Sequence, residues 1–206
     1  MEKIDFKKEL KQLYNPSARS YSLVDVPAMN FLMIDGEGAP SSPAYADSIE
    51  ALYAMSFTLK FMSKEQVEKD YVVMPLEGLW WADDMNVFRT EYANKDQWKW
   101  TSMIMQPDWI SQAMVDGAVD KVRESKNPAG LAHLRYERFE EGKAVQIMHI
   151  GPYADEGPTI VRMHDEFIPD QGLVENGKHH EIYLSDPRRT APERLRTVIR
   201  HPVTEA

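Results

Sequence analysis

The 206-residue chain contains no cysteine. That absence removes disulfides, thiolate nucleophiles and thiolate zinc sites together, so any metal ligands would have to be His and carboxylates. No run of about 18 apolar residues occurs, which leaves no candidate for a membrane-spanning helix. The opening residues, Met1-Glu2-Lys3-Ile4-Asp5, lack the basic region and apolar block of a secretory signal, and a cytoplasmic protein is expected. Positive charge is in deficit: 24 Lys and Arg against 33 Asp and Glu give a formal net charge of -9, which argues against direct contact with nucleic acid. A Gly-rich phosphate loop and a Gly-x-Ser-x-Gly nucleophile elbow are also missing.

What is present is ordinary for a globular protein, 43% hydrophobic and 28% charged, with a generous supply of Trp, Tyr, Phe and Met that suits either a core or an adaptable apolar pocket. Basic residues cluster locally at Arg188, Arg189, Arg194, Arg196 and Arg200, a pattern that reads as a solvent-facing end strand and its turn.

Residues 1–20 read as an N-terminal arm with a weak helix over 3–13. A strand is expected over 28–34, then the turn Asp35-Gly36-Glu37-Gly38 and a Pro-Ser spacer. Apolar residues at Ile49, Leu52, Tyr53, Met55, Leu59 and Met62 recur at three and four, predicting a helix over 44–62. Residues 71–81 read as a strand interrupted by Pro75 and Gly78, hence bulged or at an edge. It closes at Asp83-Asp84, and a polar connection through Asn94-Lys95-Asp96 leads to a strand over 98–105 with Trp98, Trp100 and Ile104 on one side. A helix over about 108–126 follows. Residues 131–139 then form a strand that turns at Glu140-Glu141-Gly142-Lys143 into the apolar run 144–150, an expected hairpin. The run His179-His180-Glu181-Ile182-Tyr183-Leu184 reads as a strand whose period of two places His179, Glu181 and Tyr183 on one face and His180, Ile182 and Leu184 on the other. A last strand covers 194–200. Each half, about 21–106 and 129–203, thus runs strand, helix, strand, strand. This predicts an α+β protein of two pseudo-symmetric repeats with a ligand cleft between them.

Three segments, His149-Ile150-Gly151-Pro152-Tyr153, the run from His179 through Asp186-Pro187-Arg188-Arg189, and Pro192 to Val203, resemble the GyrI-like small-molecule-binding family. Pro75-Leu76-Glu77-Gly78-Leu79-Trp80-Trp81 resembles its stand-alone branch, and the similarity extends over roughly 21–203. The resemblance implies one GyrI-like domain over 21–206 and two contrasting activities. Some relatives are ligand-binding domains of drug-responsive regulators; stand-alone relatives include hydrolases that open the cyclopropane ring of DNA-alkylating natural products. The chain has no basic helix-turn-helix module of its own. A monomeric, cofactor-independent ring-opening hydrolase for detoxification is expected, with a non-catalytic binder of hydrophobic or cationic drugs, or a gyrase-modulating protein, as alternatives.

Ring opening needs a water delivered to carbon and a donor on the carbonyl that gains charge, roles that suit a carboxylate and a phenol. Glu181 is the expected base, with Tyr183 orienting water or substrate; the competing reading makes Glu181 a buried acid tying the halves together. Glu156 is a second acid, either at the cleft rim or offsetting a helix dipole. Glu77 reads as an exposed strand residue or a third cleft acid. Trp80, Trp81, Trp98 and Trp100 are candidate walls, with only one of Trp80 and Trp81 able to face the cleft on a regular strand; Tyr71 and Tyr136 are candidate polar handles. His179 and His180 diverge and no helical His pairing appears, so no metal site is expected.

Overall fold

The computed structural model describes residues 2–83 and 95–206. Asp84 and Asn94, read above as parts of connections, lie outside the described residues. In chain order the elements are β1 (Lys3–Ile4), α1 (Phe6–Glu9), α2 (Lys11–Tyr14), β2 (Ser22–Val26), β3 (Met29–Glu37), α3 (Pro43–Gln66), β4 (Asp70–Tyr71), β5 (Leu76–Trp81), β6 (Lys99–Gln106), α4 (Gln112–Ser125), β7 (Arg135–Phe139), β8 (Gly142–Ile150), α5 (Gly157–Arg162), a π-turn (Met163–Phe167), α6 (Ile168–Asp170), β9 (Leu173–Glu175), β10 (His179–Tyr183) and β11 (Arg196–Glu205). Among the described residues no helix is long and apolar enough to cross a membrane.

An antiparallel sheet in the order β2-β8-β11-β10-β5-β6-β3-β7, with β9 added to β11, dominates the fold. Strands β10 and β5 lie at its centre, and neighbouring residues in register share a face. Glu181 pairs with Gly78 and Ile199, Ile199 with Ile147, and Gly78 with Ser102, so these residues define one front face. Two helical layers cover it. Helix α3 lies over Ser102, to which Ser48 donates a hydrogen bond at 3.1 Å. The α5–α6 segment packs Met163 and Ile168 with Val145, Ile147, Ile199 and Val203. Glu181 sits on the strand between these layers.

Helix α3 begins earlier than periodicity alone indicated, because Ser42 caps it through Tyr45 N and Pro43 occupies its first turn. Of the expected stripe, Leu52, Met55, Leu59 and Met62 are buried, whereas Ile49 and Tyr53 are half-buried and Ala51 joins the core in addition. The linking helix α4 is shorter than the expected 108–126, starting when Ser111 caps it through Met114 N.

The expected hairpin between 131–139 and 144–150 does not form. Strand β7 pairs with β3 and strand β8 with β2 and β11. Phe139 sits opposite Met29 and Gly142 opposite Val26, so residues 140–141 and 27–28 are matched corners where the chain passes from one end of the sheet to the other. Gly142, at φ 74°, takes a left-handed conformation that suits such a corner as well as a hairpin, which explains the misreading. Strand β5 also departs from expectation: its register is unbroken through Gly78, with no bulge.

The back face is closed by the N-terminal arm, which the β1–β4 pairing anchors to the body. Tyr14 Oη donates to Glu77 Oε1 (2.9 Å), Arg200 donates from its Nη2 to the Leu13 carbonyl (2.7 Å), and Gln146 donates to the Gln12 carbonyl (2.6 Å). Two sequence expectations fail here. Glu77 is neither exposed nor in the cleft but fully buried on this back face. Arg200 is likewise buried, unlike Arg188, whose side chain is 85% exposed.

Candidate functional site

The alternation of β10 sends His180 backward and His179, Glu181 and Tyr183 forward. Behind the sheet, His180 bridges Glu77 Oε2 through Nε2 (2.9 Å) and Glu141 Oε1 through Nδ1 (2.9 Å), while Arg200 donates to Glu141 Oε2 (3.1 Å). Burial would raise the Glu141 carboxyl, but the His180 and Arg200 charges and hydrogen bonds hold it down to about 2. Burial would lower His180, yet Glu141 and Glu77 lift it to about 9. This is a charge-balanced structural network.

The front face is different. Tyr183 donates from Oη to Glu181 Oε2 at 2.7 Å, His179 Nε2 lies 3.1 Å from Glu181 Oε1, and Trp80 Nε1 donates to Tyr183 Oη at 3.0 Å. Glu181 thus has both oxygens engaged, and its side chain is 17% exposed, enough to meet a water or ligand. Burial pushes its carboxyl up, but the His179 and Tyr183 hydrogen bonds and the nearby histidine charges leave it below its ordinary value. Burial and the Glu181 charge drive the Tyr183 phenol well above its usual range.

Glu156 completes the group. It stands at the N-terminal end of α5 without capping that helix through its side chain, is only 4% exposed, and its Oε1 has no hydrogen-bond partner among the described residues. Burial and the Glu181 charge raise its carboxyl to about 9, so it is protonated at neutral pH. Two carboxyls with opposed shifts therefore stand within electrostatic reach of each other, the arrangement that divides acid and base roles. Tyr153 lies edge-on to Tyr183, ring centroids 5.8 Å apart, and Tyr45 packs against Trp80 and Trp100.

Trp80 pairs with Trp100 on the front face, and Trp98 packs edge-on against Trp80. Trp81 points backward and lies beneath Lys178 Nζ, 3.3 Å from its ring centre, so it does not line the slot. Trp100 is buried, its ring packed directly over Gly36 on the same face. Gly78 makes room for the Trp80 indole to reach Tyr183, since a Cβ there would lie 2.7 Å from Trp80 Nε1 and 3.2 Å from Tyr183 Oη. Only glycine opposite Glu181 leaves that hydrogen bond intact.

The polar handles Tyr71 and Tyr136 lie elsewhere. Tyr71 is fully buried and donates to Gln106, six residues beyond Trp100 on β6 and roughly 20 Å along the strand. Tyr136 donates to the Ile110 carbonyl from β7, four strands from β10. Both satisfy local partners.

The fold also gathers histidines that their sequence spacing keeps apart. Among the described residues His164, His179 and His201 bring ligand atoms within 4.8 Å of one another. Burial and the two neighbouring histidines depress the His201 imidazole to about 3. His149 is structural, its Nε2 lying 3.3 Å from the Pro152 carbonyl. Sequence reasoning also missed Tyr45 and Tyr153. Tyr153 sits in a motif quoted above, but only the fold brings it over Tyr183.

A cavity of about 520 Å³ opens between α5, β8 and residues 18–21; Arg19, Tyr21, His149, Thr159 and Arg162 line it, and no carboxylate does.

A helix-backed antiparallel sheet with carboxylates and aromatic rings grouped on one face makes this an α+β fold. The chain belongs to the GyrI-like family: residues 19–204 match the GyrI-like small molecule binding domain. It is 41% identical to a crystal structure described as an uncharacterized conserved protein from Listeria innocua, covering 98% of this chain and 100% of that one with a TM-score of 0.89. A Listeria innocua structure described as a hydrolase is also 41% identical over the same shares, with a TM-score of 0.85. The C-terminal domain of EcmrR shares the fold at 12% identity and a TM-score of 0.54, covering 91% of this chain and 98% of that one. No curated protein matches the chain.

Proposed function

We propose that this GyrI-like protein is a cofactor-independent hydrolase that opens the cyclopropane ring of hydrophobic DNA-alkylating natural products. What supports the reading is the grouping of two interacting carboxyls, Glu181 and the buried Glu156, with Tyr183 and the aromatic rings of Trp80, Tyr45 and Tyr153. A hydrolase at 41% identity supports the reaction class. We read β3-α3-β5-β6 and β8-α5-β10-β11 as its two repeats, meeting at the β10–β5 seam where the slot lies, within a monomer acting in the cytoplasm.

In this mechanism the ionised Glu181 takes a proton from a water positioned with Tyr183. The water oxygen bonds to a cyclopropane carbon, a ring C–C bond breaks, and its electron pair moves into the conjugated carbonyl. That oxygen accepts the proton of Glu156. Transfer of a proton from Glu181 back to Glu156 restores the pair, and the ligand has gained one water. A planar polycyclic substrate stacks on the aromatic walls.

The test is to incubate the protein with a cyclopropane-bearing alkylator and follow the ligand by mass spectrometry. The expected product is heavier by one water, and Glu181→Gln slows its formation by about 10²–10⁴-fold, the usual span of a general base. An unchanged ligand that still binds would move the assignment to drug sequestration or sensing. That second reading draws on the same buried anion among aromatic rings, which suits cations.

A further inference from the structure

We propose that His164, His179 and His201 form a binding site for a divalent transition metal such as Zn²⁺, set beside Glu181 with Glu175 as its supporting carboxylate. The site is independent of the ring-opening reading.

Three elements converge to build it. His179 and His201 project from neighbouring strands β10 and β11, and His164 comes from the π-turn between α5 and α6. A π-turn inserts an extra residue into a helix and recurs where a side chain must be re-aimed. Ligand atoms of the three rings lie within 4.8 Å of one another. A tetrahedral ion at about 2.0–2.1 Å from each nitrogen needs them some 3.3 Å apart, a contraction within reach of ring rotation and small shifts.

His201 supplies the second observation. Its side chain is 1% exposed, yet among the described residues neither ring nitrogen has a hydrogen-bond partner. A buried imidazole with two unsatisfied nitrogens is costly and needs an explanation. A metal ion provides one. The other rings are already oriented: Glu175 Oε1 lies 2.6 Å from His164 Nδ1, and Glu181 Oε1 lies 3.1 Å from His179 Nε2. A carboxylate on one nitrogen of a histidine whose other nitrogen binds an ion is the carboxylate–histidine–metal arrangement, and Glu175 Oε2 also stands 3.7 Å from His201 Nε2. Three imidazoles without a thiolate favour zinc or a neighbouring late divalent ion. Bound there, the ion would lock His179 and so fix the carboxylate of Glu181.

The experiment uses the full chain, free of any affinity tag and stripped of metal. Zn²⁺ is titrated calorimetrically, and Co²⁺ by its visible ligand-field absorption. Expected are one ion per chain, an intense band of four- or five-coordinate Co²⁺, and loss of both in His164→Gln and His201→Gln. His164 is the more exposed of the two, so its variant should retain the native circular dichroism even if His201→Gln does not fold. Glu175→Gln should keep the site but weaken it ~10–100-fold, as losing an orienting carboxylate does. No saturable binding up to millimolar Zn²⁺, or unchanged stoichiometric binding in a folded His164→Gln, would overturn the proposal.

Discussion

The two faces of β10 carry the same residue types and arrange them oppositely. On the back, His180 and Arg200 neutralise Glu77 and Glu141, and the hydrogen bonds of Tyr14 and Gln146 extend that network to the N-terminal arm. On the front, Glu181 interacts with Glu156 and with His179, and among the described residues Glu156 keeps a buried oxygen without a hydrogen-bond partner. One face is thus satisfied and the other left with an unpaired buried polar group, the kind of departure that natural proteins concentrate at functional sites. The back face is built for stability, and the chemistry proposed above belongs to the front.

Substitutions that move charge on each face are the most direct way to break this contrast. The largest effect is expected for Glu181→Gln, with about 10²–10⁴-fold less turnover and little change in melting temperature; an unfolded variant would mean that the front face is structural as well. Next, Arg200→Met should destabilise by about 3–5 kcal/mol in urea titration, because it strands the Glu141 charge in the interior, while any surviving native fraction keeps its turnover per folded molecule.

Glu156→Gln should separate the two roles. A carboxyl lifted to about 9 is protonated in the native state at pH 7 but ionised when unfolded, so folding pays for that mismatch. The amide removes it. We expect a gain of about 3 kcal/mol at pH 7, from ~1.4 kcal/mol for each pH unit above the ordinary carboxylate value, together with a loss of turnover. Wild-type turnover should also fall as pH rises through about 9, where Glu156 loses its proton.

The back face predicts its own pH response. Glu141 is held down to about 2, so its contribution is complete above about 4.5 and disappears as pH falls toward 2. His180 is lifted to about 9, so its contribution is complete below about 6.5 and disappears as pH rises toward 9. Thermal melts across pH should therefore show both losses from the back-face network, and Arg200→Met should flatten the acidic one.

The contrast between faces was partly legible in the sequence. The period of two in residues 179–184 separated His180 from His179, Glu181 and Tyr183, as the strand does. Parity could not show which face of β5 met them, because that depends on the pairing of Gly78 with Glu181. Glu77 was misread for the same reason: its partners Tyr14 and His180 stand 63 and 103 residues away. Turn chemistry at Glu140 to Lys143 is local, whereas the pairing that made it a corner is not. His164, His179 and His201 share no helical spacing, so only the fold could gather them.

The adjacent tryptophans give the smallest and sharpest test, since they differ in face alone. Trp80 donates to Tyr183 Oη at 3.0 Å, and Trp80→Phe removes that donor while keeping an aromatic wall. A hydrogen bond of about 0.5–1.5 kcal/mol corresponds to a roughly 2- to 12-fold loss of turnover if Tyr183 must hold its water in place. Trp81 packs on the back of the sheet under Lys178, and Trp81→Phe weakens that ring contact, worth about 0.5–1 kcal/mol of stability. Its turnover should match wild type. Equal losses from the two variants, measured as kcat on the folded protein, would mean that the faces are mechanically coupled through β5 and that the division between stability and chemistry does not hold.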